Sequence, residues 1–218
     1  MMTPEHFFAR WRDEPLPLIA ILRGITPPQA QEAAEILLSC GFHWLEVPLN
    51  SPSPFESIRL MREIVGERGW VGAGTVLTTE QVDRVAECGG QLIISPDCKA
   101  GVIRRSRERG LISLPGIMTP SEAFTALDAG ASGLKFFPAE QVSPTLLKAF
   151  RAVLPANVAC MPVGGIQPDA QQMQRYLQAG ANGFGLGGGL YQAGMPMPEL
   201  RNRAMAYRCA WDSLAGAL

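Results

Sequence analysis

Eight short apolar runs recur along this chain, each followed by a loop and then by a stretch with helical spacing. The runs are Leu16 to Leu22, Trp44 to Leu49, Trp70 to Val76, Gln91 to Ser95, Leu111 to Leu114, Gly133 to Phe137, Val158 to Val163 and Gly183 to Leu186. Between Pro27 and Cys40, residues Ala30, Ala33, Ala34, Leu37 and Leu38 fall on one helical face. That helix opens at Thr26, an expected N-cap followed by prolines, and closes at Gly41. Thr79 to Ala86 repeats the scheme and ends near Gly89. Thr119-Pro120-Ser121-Glu122 has capping-box spacing and runs into a helix that ends at Gly130. Gln167-Pro168-Asp169 starts another, which ends at Gly180.

Strands that alternate with helices pair in parallel, because each crossover returns the chain to the same edge direction. Eight such units in 218 residues predict a compact (β/α)8 TIM barrel, a single domain over residues 1–218. An open doubly wound sheet is the main rival, but no dinucleotide fingerprint follows the first run. A solenoid would repeat a sequence signature, whereas these units share only spacing. The segment before Leu16 reads as an extra N-terminal helix, and Pro198 to Leu218 as a helix packed outside the barrel.

Net charge is −1, with both signs interspersed, so neither a nucleic-acid stripe nor an acidic tail is indicated. Five cysteines, none at C-x-x-C spacing, argue against a disulfide framework or zinc site and for reduced, mostly buried thiols in a cytoplasmic protein. His6 and His43 are too isolated for a metal centre and read as surface or half-buried rings. The first twelve residues lack the apolar core of a signal peptide, and no run approaches the roughly 20 apolar residues of a membrane span.

In a barrel, chemistry sits at the C-terminal ends of the strands. Lys135 interrupts the apolar run Gly133-Leu134-Lys135-Phe136-Phe137-Pro138. Taken alone, a lysine whose stem is buried and whose head reaches water is the better reading. A lysine held inside the strand would instead lose its charge more readily and become a nucleophile able to condense with a ketone. Glu46 lies in the second run, and a buried carboxylate needs a partner that a facing lysine would supply, either for chemistry or as a structural ion pair. Arg23 ends the first run and Thr75 the third, where a surface cation and a packing threonine are the plain alternatives. Ser95-Pro96-Asp97 ends the fourth. Two glycine clusters, Gly164-Gly165 and Gly187-Gly188-Gly189, follow the seventh and eighth runs. In this fold those loops commonly hold phosphate, because glycines let backbone N–H groups approach an anion.

Several segments together resemble the class I aldolases that cleave 2-dehydro-3-deoxy-6-phospho sugar acids. They are Pro17-Leu18-Ile19-Ala20-Ile21-Leu22-Arg23-Gly24, Leu45-Glu46-Val47-Pro48-Leu49-Asn50-Ser51, Val71-Gly72-Ala73-Gly74-Thr75-Val76-Leu77, Ile94-Ser95-Pro96, Leu114-Pro115-Gly116, Leu134-Lys135-Phe136-Phe137-Pro138-Ala139 and Val163-Gly164-Gly165-Ile166. The resemblance covers about residues 15 to 195 in order.

The resemblance implies that Lys135 forms the Schiff base and that Glu46 is the general acid/base. It implies substrate contacts from Arg23, Asn50, Thr75, Pro96 and Phe137, with phosphate on the backbone around Gly164, Gly165, Gly187 and Gly188. Neither cofactor nor metal is implied, and a homotrimer is. Pro48-Leu49-Asn50-Ser51 and Leu22-Arg23-Gly24 look like the galactonate branch, whereas gluconate enzymes usually carry arginine at the position of Asn50. The implied substrate is therefore 2-dehydro-3-deoxy-6-phosphogalactonate, cleaved to pyruvate and glyceraldehyde 3-phosphate. The gluconate epimer or 4-hydroxy-2-oxoglutarate is the alternative. Further off stand barrel chemistry without a covalent lysine and a silent sugar-phosphate binder. One departure is visible: the family often has serine in the last phosphate loop, where this chain has Gly187-Gly188-Gly189.

Overall fold

The computed structural model of the chain describes residues 4–214. Nine strands run through it: β1 Leu18–Ile21, β2 Trp44–Pro48, β3 Trp70–Gly74, β4 Leu92–Ile94, β5 Ile112–Leu114, β6 Gly116–Ile117, β7 Gly133–Phe136, β8 Ala159–Pro162 and β9 Phe184–Leu186. The helices are α1 Pro4–Arg12, α2 Pro27–Ser39, α3 Pro54–Val65, α4 Thr79–Glu87, α5 Ala100–Glu108, α6 Pro120–Asp128, α7 Pro144–Arg151, α8 Ala170–Gln178 and α9 Met197–Asp212. The predicted C-terminal helix thus ends at Asp212, and residues 215–218 lie outside the described part.

All strand pairs are parallel. Six strands form one sheet in the order β5-β4-β3-β2-β1-β9, and three form a second in the order β6-β7-β8. Val163 bridges to Gly185 at one seam between the sheets. At the other, Ser132 N–H donates to Ser113 O (2.8 Å) and Lys135 N–H to Pro115 O (2.9 Å). The fold is thus an α/β fold with a curled parallel sheet.

The fifth run was expected to end at Leu114, but sheet pairing resumes beyond it as β6. Pro115 has no N–H to donate to a ladder, so it divides one extended segment into two strands.

Helix starts follow local hydrogen-bond chemistry. Thr119 with Glu122 at α6, and Thr78 with Gln81 at α4, form reciprocal capping boxes. Asp169 accepts from Gln171 and Gln172 N–H at α8. Thr26 departs from expectation. It has extended backbone at the start of α2, but its hydroxyl donates to Gln29 Oε1 (3.2 Å) instead of capping the helix. Gly41, with φ of 87°, follows that helix in the left-handed region that glycine enters freely.

Period-two alternation divides the strand side chains between two cores. Leu18, Ala20, Leu45, Val47, Leu134 and Phe136 face the helices. Ile19, Ile21, Trp44, Ile94, Leu114, Met161 and Val163 face the interior of the curled sheet. By the same alternation Glu46 and Lys135 belong to the interior set. Helix α1 brings Phe7 and Trp11, both buried, against Trp44 at the start of β2, which stacks on Trp70 at the start of β3. Trp11 Nε1 donates to Asn182 O (2.8 Å), and Trp44 Nε1 to Glu14 Oε2 (2.9 Å). This aromatic layer fills the interior at the N-terminal ends of the strands and leaves the opposite end for the polar residues.

The five cysteines are free. Only Cys40 and Cys160 are buried, while Cys88 and Cys98 are half-buried and Cys209 is exposed, so the expectation of mostly buried thiols does not hold. Cys209 lies on α9, a helix whose apolar contacts come from Met197, Leu200, Ala204 and Tyr207. Among the described residues no helix is long and apolar enough to cross a membrane.

Candidate active site

Lys135, in β7, is 6% exposed, and Glu46, in β2, is 1% exposed. Two ionisable groups inside an apolar interior lose hydration, and each shifts toward its neutral form. Burial raises the Glu46 carboxyl above its ordinary range, opposed by the charges of Lys135 and Arg23. Burial lowers the Lys135 amine; the Glu46 charge opposes this and the Arg23 charge adds to it. Glu46 Oε2 is buried with no hydrogen-bond partner. The two groups act on each other through space and make no contact ion pair. Lys135 Nζ stands 4.6 Å from the centroid of the Phe137 ring.

Arg23 follows the end of β1 and is exposed. Its Nη1 donates to Asn50 Oδ1 at 2.6 Å, with Thr75 Oγ1 at 3.5 Å. Gly24 N–H donates to Ser51 Oγ (2.9 Å), a second tie between the loops after β1 and β2. Thr75 has φ of 56°, a left-handed conformation that costs a β-branched residue of order 1–3 kcal/mol. Conformations of that kind concentrate at functional sites.

These side chains border a cavity of about 630 Å³ at the C-terminal ends of the strands. Arg23, Glu46, Asn50, Lys135, Phe137, Gly164, Gly165, Gly187 and Gly188 all line it. Thr75 reaches it only through Arg23, and Pro96 does not line it. Pro96 is held against β6, where a side chain on Gly116 would collide with its carbonyl. Beneath the cavity is a small apolar void bounded by Ile21, Ile94, Leu114 and Met161 together with Glu46 and Lys135.

The two glycine loops lie side by side at the mouth, after the neighbouring strands β8 and β9. Gly164 and Gly165 have φ of 107° and 64°. Side chains hold the loop carbonyls: Gln172 Nε2 donates to Gly165 O (3.0 Å), Gln192 Nε2 to Gly188 O (3.2 Å) and Arg203 Nη1 to Gly188 O (3.3 Å).

Gly189, the last residue of the second glycine cluster, borders the cavity as well, whereas sequence reasoning did not single out Glu140, Gln167 or the segment Tyr191-Gln192-Ala193 as lining it. Glu140 lies against the glycine loop, with its Cδ 3.3 Å from where a Cβ on Gly164 would stand. It follows Lys135 by five residues, and its place beyond a strand end was the one available signal.

A family model described as "Aldolase: KDPG and KHG aldolase" matches residues 12–198. The chain belongs to the KDPG and KHG aldolase family. It is 44% identical over 200 residues to a probable 2-dehydro-3-deoxy-6-phosphogalactonate aldolase of Rhizobium meliloti (strain 1021), covering 92% of this chain and 93% of the relative. It is 43% identical over 198 residues to the 2-dehydro-3-deoxy-6-phosphogalactonate aldolase of Escherichia coli (strain K12), covering 91% and 95%. The solved structure described as "Native KDPGal structure" superposes with a TM-score of 0.89 at 42% identity, over 93% of this chain and 97% of that one. Family membership makes this chain an aldolase, a carbon–carbon lyase.

Proposed function

We propose that this aldolase cleaves 2-dehydro-3-deoxy-6-phosphogalactonate to pyruvate and glyceraldehyde 3-phosphate through a Schiff base on Lys135. The observation that carries the reading is the pairing of a buried lysine with a buried carboxylate at the floor of one open cavity. The identities to galactonate-type relatives favour this substrate over the gluconate epimer.

Uncharged Lys135 Nζ attacks the C2 ketone, and the carbinolamine loses water with Glu46 supplying the proton. Glu46, then ionised, takes the proton of the C4 hydroxyl. The C3–C4 bond breaks, its electron pair passes into the iminium to give an enamine, and the aldehyde fragment leaves. Protonation of the enamine at C3 and hydrolysis of the imine return free Lys135 and pyruvate. Arg23, steadied by Asn50, meets the substrate carboxylate. The phosphate meets backbone N–H groups of Gly164, Gly165, Gly187 and Gly188, whose loops present no serine hydroxyl.

The same reading closes the two sheets into a (β/α)8 barrel with α1 as its N-terminal plug. The Val163–Gly185 bridge and the Ser132–Ser113 and Lys135–Pro115 bonds support closure at both seams. A cytoplasmic homotrimer completes it, tested by light scattering at about three times the 23.5 kDa chain mass.

Incubation with pyruvate and borohydride, followed by peptide mass spectrometry, should place a single adduct on Lys135. An unlabelled lysine, or full turnover in Lys135→Ala, would refute the mechanism. Glu46→Gln should fold normally and lose roughly 10²–10⁴-fold in kcat, the usual scale for a missing acid/base. Turnover of the gluconate epimer equal to that of the galactonate one would remove the substrate preference.

A further inference from the structure

Gly74 is the last residue of β3, paired with Pro48 on one side and Ile94 on the other. It does not adopt a positive φ, so its backbone conformation does not call for glycine. What calls for glycine is the neighbouring side chain. A Cβ on Gly74 would overlap Glu46 Oε1 and stand 2.5 Å from Glu46 Cδ and 2.9 Å from Cγ. No other group comes among its three nearest atoms. The carboxyl of Glu46 therefore lies in a slot that exists because residue 74 lacks a side chain. Gly72, two residues earlier, is glycine for a different reason: a Cβ there would strike Leu92 of the adjacent strand.

We propose that Gly74 is a positioning residue that seats the Glu46 carboxyl along β3 and holds it back from direct contact with Lys135. This rests on the acid/base reading of Glu46 given above. With the slot filled, the open volumes beside the carboxyl are the cavity at the mouth and the small void below it. Lys135 lines both. A carboxyl pushed off β3 moves toward the ammonium and pairs with it. Pairing favours both charged forms, so the amine holds its proton to higher pH and attacks the ketone less readily. The charged groups facing the Glu46 carboxyl are Lys135 from β7 and Arg23 from the end of β1; β3 itself offers none there. Glu140 borders the same cavity at the glycine loop.

The test compares Gly74→Ala, Glu46→Ala and the double variant, using kcat and the pH dependence of borohydride trapping with pyruvate. Gly74→Ala should lose about 10²-fold in kcat with KM within a few-fold, and its trapping midpoint should rise by about one pH unit. Alanine at position 46 ends at Cβ and takes Cγ, Cδ and the carboxyl oxygens out of the slot, so adding Gly74→Ala to Glu46→Ala should cost no more than about threefold. An unmoved midpoint, or an equal loss in both backgrounds, overturns the proposal. If Gly74→Ala fails to fold while the double variant folds and matches Glu46→Ala, the clash is with Glu46 as proposed. If both fail to fold, the glycine serves the sheet and the proposal falls. Absence of trapping in the unmodified protein would sink the aldolase mechanism itself, and this inference with it.

Discussion

Arg23 and Asn50, 27 residues apart in the chain, meet at the cavity mouth, where Arg23 Nη1 donates to Asn50 Oδ1 at 2.6 Å. The bond joins the ends of β1 and β2 and orients a guanidinium that would otherwise sample many rotamers. Asn50→Ala should leave the fold intact and raise KM for the sugar acid about tenfold, the scale of one charge-assisted hydrogen bond near the surface. Steady-state kinetics would show it. A change confined to kcat would place Asn50 in the chemical step instead.

Thr75 carries backbone strain at φ of 56° next to that guanidinium. Thr75→Gly removes the strain but adds unfolded-chain entropy, and the first effect is the larger, by about 1 kcal/mol. The variant should melt a few degrees higher and bind substrate less well, since Arg23 loses a nearby acceptor. Thermal melts and KM together check this. A lower melting temperature would mean that the hydroxyl contributes more than the strain costs.

Lys135 should destabilise the folded chain at neutral pH relative to an apolar residue of similar length. Its amine is lowered by burial from an ordinary value of 10.5. Between the lowered value and 10.5 the unfolded chain binds more protons than the folded one, so stability rises with pH through that window. Lys135→Met has no such group, so its melting advantage should be largest near neutrality and fade as pH approaches 10.5. Paired melts across that range would test the sign. An advantage that grows with pH would contradict a lysine held neutral by burial.

Trp11 is fully packed against Trp44 and hydrogen-bonded to Asn182 O. Trp11→Ala leaves a large cavity beneath the site and should cost about 3–5 kcal/mol. Chemical denaturation would measure this. The trapping chemistry on Lys135 should survive in whatever fraction remains folded, because the aromatic layer and the mouth are at opposite ends of the strands.

Much of this arrangement was legible in the residues, because strand alternation is a local signal. The apolar runs contain every described strand except β6, and the lone lysine and glutamate within them are the two buried charges of the interior. Where tertiary contacts decide, the residues were silent. Pro115 splits a strand because of what its neighbours need from it. Thr26 has the right residue type for a cap but bonds a glutamine side chain. Pro96 lies in a family-like segment yet packs away from the cavity. Gly74 carries no local mark at all, and Glu140 only its place beyond a strand end. A strand glycine that makes room for a carboxyl reads the same, in one dimension, as one that makes room for a leucine.

In the closed barrel proposed above, the aromatic stopper formed by Phe7, Trp11, Trp44 and Trp70 leaves the interior with one doorway. Under the proposed chemistry the three-carbon acid stays covalently tethered at the bottom while the aldehyde half sits nearer the exit. A vessel open at one end empties from the top, so the aldehyde departs first and the acid follows only after its tether is hydrolysed. In the synthetic direction the order reverses, and the acid must be loaded before its partner arrives.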